Sequence, residues 1–551
     1  MPLATQRWPL RTDIRISLPE PLFNKLHSDS LPDCSVRIMA GFVSPVLKLE
    51  IVASGCVAVR RSSSTGRDRV TALSLRRFSS FSNGPSRFGY SSMNAQVQAE
   101  AKRFLTREAL SLRTRLDRLV PFSLTMTMPN AARVSDEALS SMELHMKASR
   151  RKMRRQIAQF IQWVHSPSGG STPVDAIQRR FAILKMQYNA LLSQFDIFAD
   201  VLVQRSESGT GVWIAGLDDL ATDSMKIQGY REKLPPLACY LDRGHGAAIR
   251  RAQARLPGGE SNPVAIIRIP RERMVGQGIG SSLVHEVGHQ VAAILDLVNP
   301  LRMELQAMQR TGNPAERIAW ICWERWISEI VSDAWAVAKL GLCASLGLIG
   351  VVGLPRGFVF QVSLEDPHPF PWIRVMTSLA IGNALHPHPH WQRVAAIWES
   401  MYPIKRLPDQ TVGLIVALRA TLPSLAQLIL EHRPAALRGM SLGQSMRSDS
   451  RSPERIDQTW QAYATRTDRL YELPPSLAVA AIGQARFQGQ IDPASESRLI
   501  SKLLIEWAVQ SALPPRTQTP LLAPMAPMDP MGPMGPALEI PNTAVGRFSH
   551  A

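Results

Sequence analysis

From residue 93 to about residue 208, apolar residues recur every three or four positions, the spacing of one face of a helix. Ser135, followed by Asp136 and Glu137, marks a helix start. The hydroxyl can cap a free backbone N–H, and the two acids sit against the positive end of the helix. The pattern then runs through ALSSMELHMKASRRKMRRQIAQFIQWV to a turn, SPSGGSTP, and resumes at Asp175. Two long helices joined by a short turn predict an antiparallel pair or part of a bundle.

The pattern changes beyond residue 209. GVWIAG reads as a short strand, and VAIIRI, an apolar β-branched run set between prolines, reads as an edge strand. Helical spacing returns in GQGIGSSLVHEVGHQVAAILDLVNP, which ends before Pro300. It starts again at Asn313-Pro314-Ala315-Glu316, where an asparagine cap, a proline and a glutamate three after the cap form a helix start. Trp320, Trp323 and Trp326 fall at helical spacing and are expected in the core. Helical patterns continue to about residue 512. The expected fold class is mostly α with a small β-sheet (α+β).

The ends differ from the middle. Residues 1–92 include RRSSSTGRDRVTALSLRRFSSFSNGPSRFGYSS, rich in Ser and Arg, and are read as a disordered or non-native basic leader ahead of Met93. Residues 513–551 form a disordered tail rich in Pro and Met. Between them the expected divisions are a helical domain at 93–208, a core at 209–400 and a helical C-terminal region at 401–512.

Composition narrows the class. Hydrophobic residues make up 45% and charged residues 20%, as in a globular chain, and the net charge of +18 favours anionic partners. The five cysteines, Cys34, Cys56, Cys239, Cys322 and Cys343, are far apart and contain no CxxC pair. That argues against a disulfide framework and points to a reducing, cytoplasmic location. The apolar stretch from Leu340 to Pro355 is short of a membrane span and is read as core, with membrane association as the lesser option.

One segment carries chemistry. In HEVGH, His285 and His289 are four residues apart and so share one helical face, where two neutral imidazoles can hold one zinc ion. Glu286 stands beside them, placed to take a proton from an attacking water. Gly288 removes bulk between the ligands, where substrate or a neighbouring strand is expected to come close. A catalytic zinc site needs a third protein ligand. The metzincin extension is excluded, because Ala292 and Leu295 stand where it requires Gly and His. Glu304, Glu316, Glu324 and Glu329 all lie downstream, and Glu329 is favoured by its context, SEIVSDAW. Asp333, one turn later on the same face, can accept the free ring N–H of a zinc-bound histidine.

Taken together, HExxH and the later E-x-x-x-D resemble the zincin metallopeptidases, in particular the gluzincins typified by thermolysin. The resemblance covers about residues 260–340. It implies a zincin-like catalytic core, one Zn2+ held by His285, His289 and Glu329, Glu286 as general base and Asp333 orienting a ligand. It also implies a peptide or protein substrate, with VAIIRI as the edge that pairs with it. The rival reading is a catalytically inactive zincin scaffold acting as a binding or assembly protein.

Two look-alike stretches follow, DPHPFPWIRV and HPHPHWQRV. His386, His388 and His390 alternate in the second, and they are candidates for a second metal site or for an oxyanion-stabilising group. Lys147, Arg150, Arg151 and Arg154 share a helical face. That face lacks the aromatic interleaving of a single-strand binder and is read as solvated, so nucleic acid is not the expected partner. Asp218, Asp219 and Asp223 are read as turn and cap residues.

Overall fold

The computed structural model describes residues 87–513, apart from 244, 245, 271–275, 312 and 315, together with two short strands, Val52–Ala53 and Cys56–Val57, that pair antiparallel. The remaining expectations for residues 1–86 and 514–551 lie outside the described residues. A helix, α1 (Arg87–Asp117), runs across the boundary expected at Met93.

Three long helices open the larger unit. α1 packs against α2 (Asp136–His165) and α3 (Val174–Val203). Ser135 caps α2 as its sequence suggests, accepting the Ala138 N–H. Leu112, Met142, Ile157, Ile177 and Phe198 fill the interior of this module.

The stretch expected to be a strand at GVWIAG is instead helical, within α4 (Ser208–Met225). Ile214, Leu217, Leu220 and Ala221 are buried at helical spacing. Gly216 packs so tightly on a later helix that a Cβ there would meet the Leu504 carbonyl. Tertiary packing thus overrides the local β preference of Val212, Trp213 and Ile214. Asp218, Asp219 and Asp223 are accordingly helix residues rather than turn residues. Asp218 pairs with buried Arg205, and Asp223 accepts the Ser476 N–H and hydroxyl.

The sheet follows: β1 (Leu237–Asp242), β2 (Ala248–Arg250) and β3 (Ala265–Pro270). Their order is β1-β3-β2, with β3 parallel to β1 and antiparallel to β2. VAIIRI is therefore the central strand and not the edge. Its two faces are both buried, Ile267 and Ile269 against one core and Val264 and Ile266 against the helical module. A continuous apolar run is what burial on both faces demands. The edge is β2.

Helices make up the rest: α5 (Gln277–Ile294), α6 (Val298–Thr311), α7 (Arg317–Leu340), α8 (Leu342–Val352), α9 (Pro371–Leu385), α10 (Pro389–Met401), α11 (Asp409–Glu431), α12 (Pro453–Tyr463), α13 (Pro475–Phe487) and α14 (Pro493–Ala512). α7 begins at Arg317, four residues after the asparagine expected to cap it. Trp320, Trp323 and Trp326 are fully buried on it. One core runs from Ile214 to Trp507, so residues of both the 209–400 and the 401–512 stretches enter it. α8 carries the apolar Leu340–Pro355 stretch and is mostly buried. α11 is long and apolar enough to cross a membrane, and it packs on α7 and α9. The protein is mostly α with a small mixed sheet.

Candidate metal centre

α5 owes its position to Ile279, Leu283, Val284, Val287 and Val291, all buried. Its remaining face carries His285, Glu286 and His289. α7 crosses directly over that face and brings Glu329, Ser332 and Asp333. Gly288 marks the crossing: a Cβ there would stand 2.8 Å from both the Cα and the carbonyl oxygen of Ser332. Its lack of a side chain serves this approach of two helices, not the approach of a substrate or strand.

The crossing brings His285, His289 and Glu329 into one group, with a ligand atom of each within 4.8 Å of the others. His285 Nε2 lies 3.2 Å from Glu329 Oε2, and His289 Nε2 lies 3.4 Å from Glu329 Oε1. The other ring nitrogens are committed elsewhere. His285 Nδ1 donates to Asp333 Oδ1 at 2.7 Å. Ser332 Oγ lies 2.9 Å from His289 Nδ1 and 3.0 Å from the Ser328 carbonyl. The hydroxyl has one proton, and a carbonyl can only accept, so Ser332 donates to Ser328 and His289 Nδ1–H donates to Ser332. In its neutral form each imidazole would therefore turn an Nε2 lone pair toward the Glu329 carboxylate.

That arrangement fits a cation. Glu329 Oε2 is buried and accepts no well-formed hydrogen bond. Tetrahedral ligands at about 2.0–2.2 Å from zinc stand roughly 3.3–3.6 Å apart, close to the two His–Glu329 separations of 3.2 and 3.4 Å, while the group as a whole spans up to 4.8 Å. Two imidazoles and a carboxylate are also a donor set that zinc accepts.

Electrostatics repeat the pattern. Burial alone would lower His285, but Asp333 and Glu329 outweigh it and push the ring up to about 9. Burial and the neighbouring His285 pull His289 down to about 4. Glu329 falls to about 2, because His285, His289 and Arg374 beside it outweigh its burial. Asp333 lies far below the usual carboxylate range: Arg374 and His285 outweigh its burial. The centre thus attracts positive charge, and a proton on His285 occupies the role a divalent cation would fill.

Glu286 is buried beside this group, and burial raises its carboxyl above the ordinary value. No hydrogen bond ties it down among the described residues. A carboxylate that is adjacent, unbound and raised is suited to taking and returning a proton.

Two residues not assigned from the sequence complete the site. Arg374, in the first turn of α9, donates from Nε to Asp333 Oδ2 at 2.7 Å and from Nη2 to Asp333 Oδ1 at 3.0 Å. Its Nη2 is also 3.6 Å from Glu329 Oε2. His368, half exposed in the loop before α9, holds Nε2 3.3 Å from Glu329 Oε2 and Nδ1 2.7 Å from Asp366 Oδ1. Both lie in DPHPFPWIRV, the first of the two look-alike stretches.

The second stretch is elsewhere. His388 caps α10, its Nδ1 accepting the His390 N–H at 3.1 Å, and its Nε2 lies 3.3 Å from Glu454 Oε1. With Nδ1 accepting, the proton of the neutral ring is on Nε2, which leaves that nitrogen no lone pair for a metal. His390 faces Gln488 and Asp457. Among the described residues, no hydrogen bond or ion pair links His386, His388 or His390 to His285, His289 or Glu329.

Comparison with protein families, with curated proteins and with solved structures finds no match.

Proposed function

We propose that this chain is a zinc-dependent metallopeptidase of the gluzincin type, with His285, His289 and Glu329 as the metal ligands. The observation that carries the reading is the convergence of two Nε2 atoms on one buried carboxylate, with both Nδ1 atoms held from outside by Asp333 and Ser332. Zinc bound there would supply Lewis acidity to the scissile carbonyl and to the attacking water.

The chain's own groups do the rest. Glu286 takes a proton from the water as its oxygen bonds to the carbonyl carbon. It delivers that proton to the amide nitrogen as the C–N bond breaks. Asp333, gripped by Arg374, holds the His285 ring in the tautomer that presents Nε2. His368, whose Nε2 lies 3.3 Å from Glu329 Oε2, stands beside the ligand group, within reach of a substrate held there. β2, the free edge of the sheet, offers backbone groups to an extended substrate. Cys239, Cys322 and Cys343 are free and buried, which accords with a cytoplasmic setting.

The test is hydrolysis of a casein or peptide-library substrate by zinc-loaded protein beside Glu286→Gln. The reading expects cleavage in the first, and a loss of about a hundredfold or more in the second with zinc retained. Undiminished cleavage by the variant would reject it.

A further inference from the structure

β2 ends the strand order, and among the described residues nothing pairs with its outer side. The register sets which residues share a face. Ala248 lies opposite Arg268, Arg250 opposite Ile266, and Tyr240 opposite Arg268 on the far side. These side chains face the helical module, while Ile249 and Ile267 face the other core. The module does not fill the outer end of its face. A cavity of about 510 Å³ opens there, lined by Tyr240, Arg250, Arg251 and Arg268 from the sheet side and by Ile197 and Asp200 from α3.

The lining is rich in uncommitted positive charge. Arg250 and Arg251 are exposed, and neither side chain makes a hydrogen bond or ion pair among the described residues. Arg268 has one acidic partner, Asp242, at 3.7 Å. Asp200 is the one acid in the lining, and burial, with Asp196 and Asp242 nearby, raises its carboxyl above the ordinary value.

The same edge is tied to the metal centre. Gln290, the residue after His289, accepts the backbone N–H of Ala252 at 2.8 Å, two residues beyond the end of β2. A buried side chain on the metal-binding helix thus fixes the position of the edge strand.

We propose that the edge of β2 takes an extended peptide carrying acidic side chains, with alternate residues placed over the arginine-lined cavity. The proposal rests on the peptidase reading and names the substrate class for it. A strand added beside β2 satisfies its free N–H and C=O groups. Alternate side chains of that strand stand about 4.5–5.5 Å from Ala248 and Arg250, on the cavity face. Guanidinium groups without partners select carboxylates there, bind glutamine weakly and repel lysine.

The test uses the full chain with Glu286→Gln, loaded with zinc, so that peptides bind but stay intact. Three labelled peptides of one length carry Glu, Gln or Lys at alternate positions, and anisotropy gives their Kd. Glu is expected to bind about tenfold more tightly than Lys, and the gap should narrow as salt is raised about tenfold. Arg250→Glu and Arg268→Glu are expected to reverse the order, with unfolding transitions unchanged for the exposed Arg250. Equal binding of the three peptides, or a Glu preference that survives both reversals, would overturn the proposal. So would an oligonucleotide that outcompetes the Glu peptide, since that would mark a phosphate-binding surface. Hydrolysis by the unsubstituted chain separates the two readings: cleavage without acidic preference rejects only this one, and acidic binding without cleavage rejects only the peptidase.

Discussion

Arg374 grips both carboxylate oxygens of Asp333, at 2.7 and 3.0 Å, while Asp333 in turn holds His285 Nδ1 at 2.7 Å. Orientation of His285, the first of the proposed metal ligands, therefore passes through a carboxylate that is itself fixed by a bidentate cation. Removing the guanidinium leaves a buried carboxylate balanced by His285 alone. Arg374→Ala is expected to destabilise the fold by about 3–5 kcal/mol and to weaken zinc binding about 10–100-fold. Denaturant unfolding and competition with a chelating dye measure the two effects. Arg374→Lys, which keeps the charge but loses the fork, should recover stability more than metal affinity.

Gly288 gives a second prediction. In most helices alanine improves on glycine by about 1 kcal/mol. Here the added Cβ would press at 2.8 Å on the backbone of Ser332, which has no flexible end to move aside. Gly288→Ala is expected to destabilise by about 1–3 kcal/mol through overpacking. Because Ser332 also holds the His289 ring at 2.9 Å, zinc affinity should fall with it. A more stable variant with unchanged affinity would show that α5 and α7 do not meet as described.

How much of this was legible in the sequence depends on distance along the chain. His285, Glu286 and His289 lie within one helical turn, so their spacing alone places them together. Glu329 and Asp333 come 40 or more residues later and could be singled out only by the E-x-x-x-D context. His368 and Arg374 were not assigned, because DPHPFPWIRV and HPHPHWQRV carry the same local signal. What separates them is tertiary: one leads into α9 over Asp333, and the other spends a histidine on capping α10. The sheet failed for a related reason. VAIIRI has prolines at both ends, which suggest an edge, but a strand buried on both faces is better announced by its unbroken apolar run. GVWIAG has strand-forming residues yet is helical, since Gly216 allows α14 to close over a helix there.

Asp219 predicts a pH effect away from the centre. Burial pushes its carboxyl from 3.8 up to about 7, although Ser511 donates to it at 2.9 Å. Between those two values the folded chain holds a proton that the unfolded chain has lost. Stability from this group should therefore be greatest below about pH 4, fall as pH rises toward about 7, and level off above it. Asp219→Asn, which cannot ionise, is expected to flatten that slope in denaturant midpoints measured from pH 4 to 8. An unchanged slope would show that Asp219 does not titrate in this window.

The central claim is that three side chains from two crossing helices hold one zinc ion. Metal analysis of the purified chain beside His289→Ala and Glu329→Ala, after dialysis against a weak chelator, tests it most directly. The account expects one zinc per chain in the unsubstituted protein and almost none in either variant, with the folded state confirmed by circular dichroism. Full zinc content in Glu329→Ala, or none in the unsubstituted chain after zinc is supplied, would contradict it.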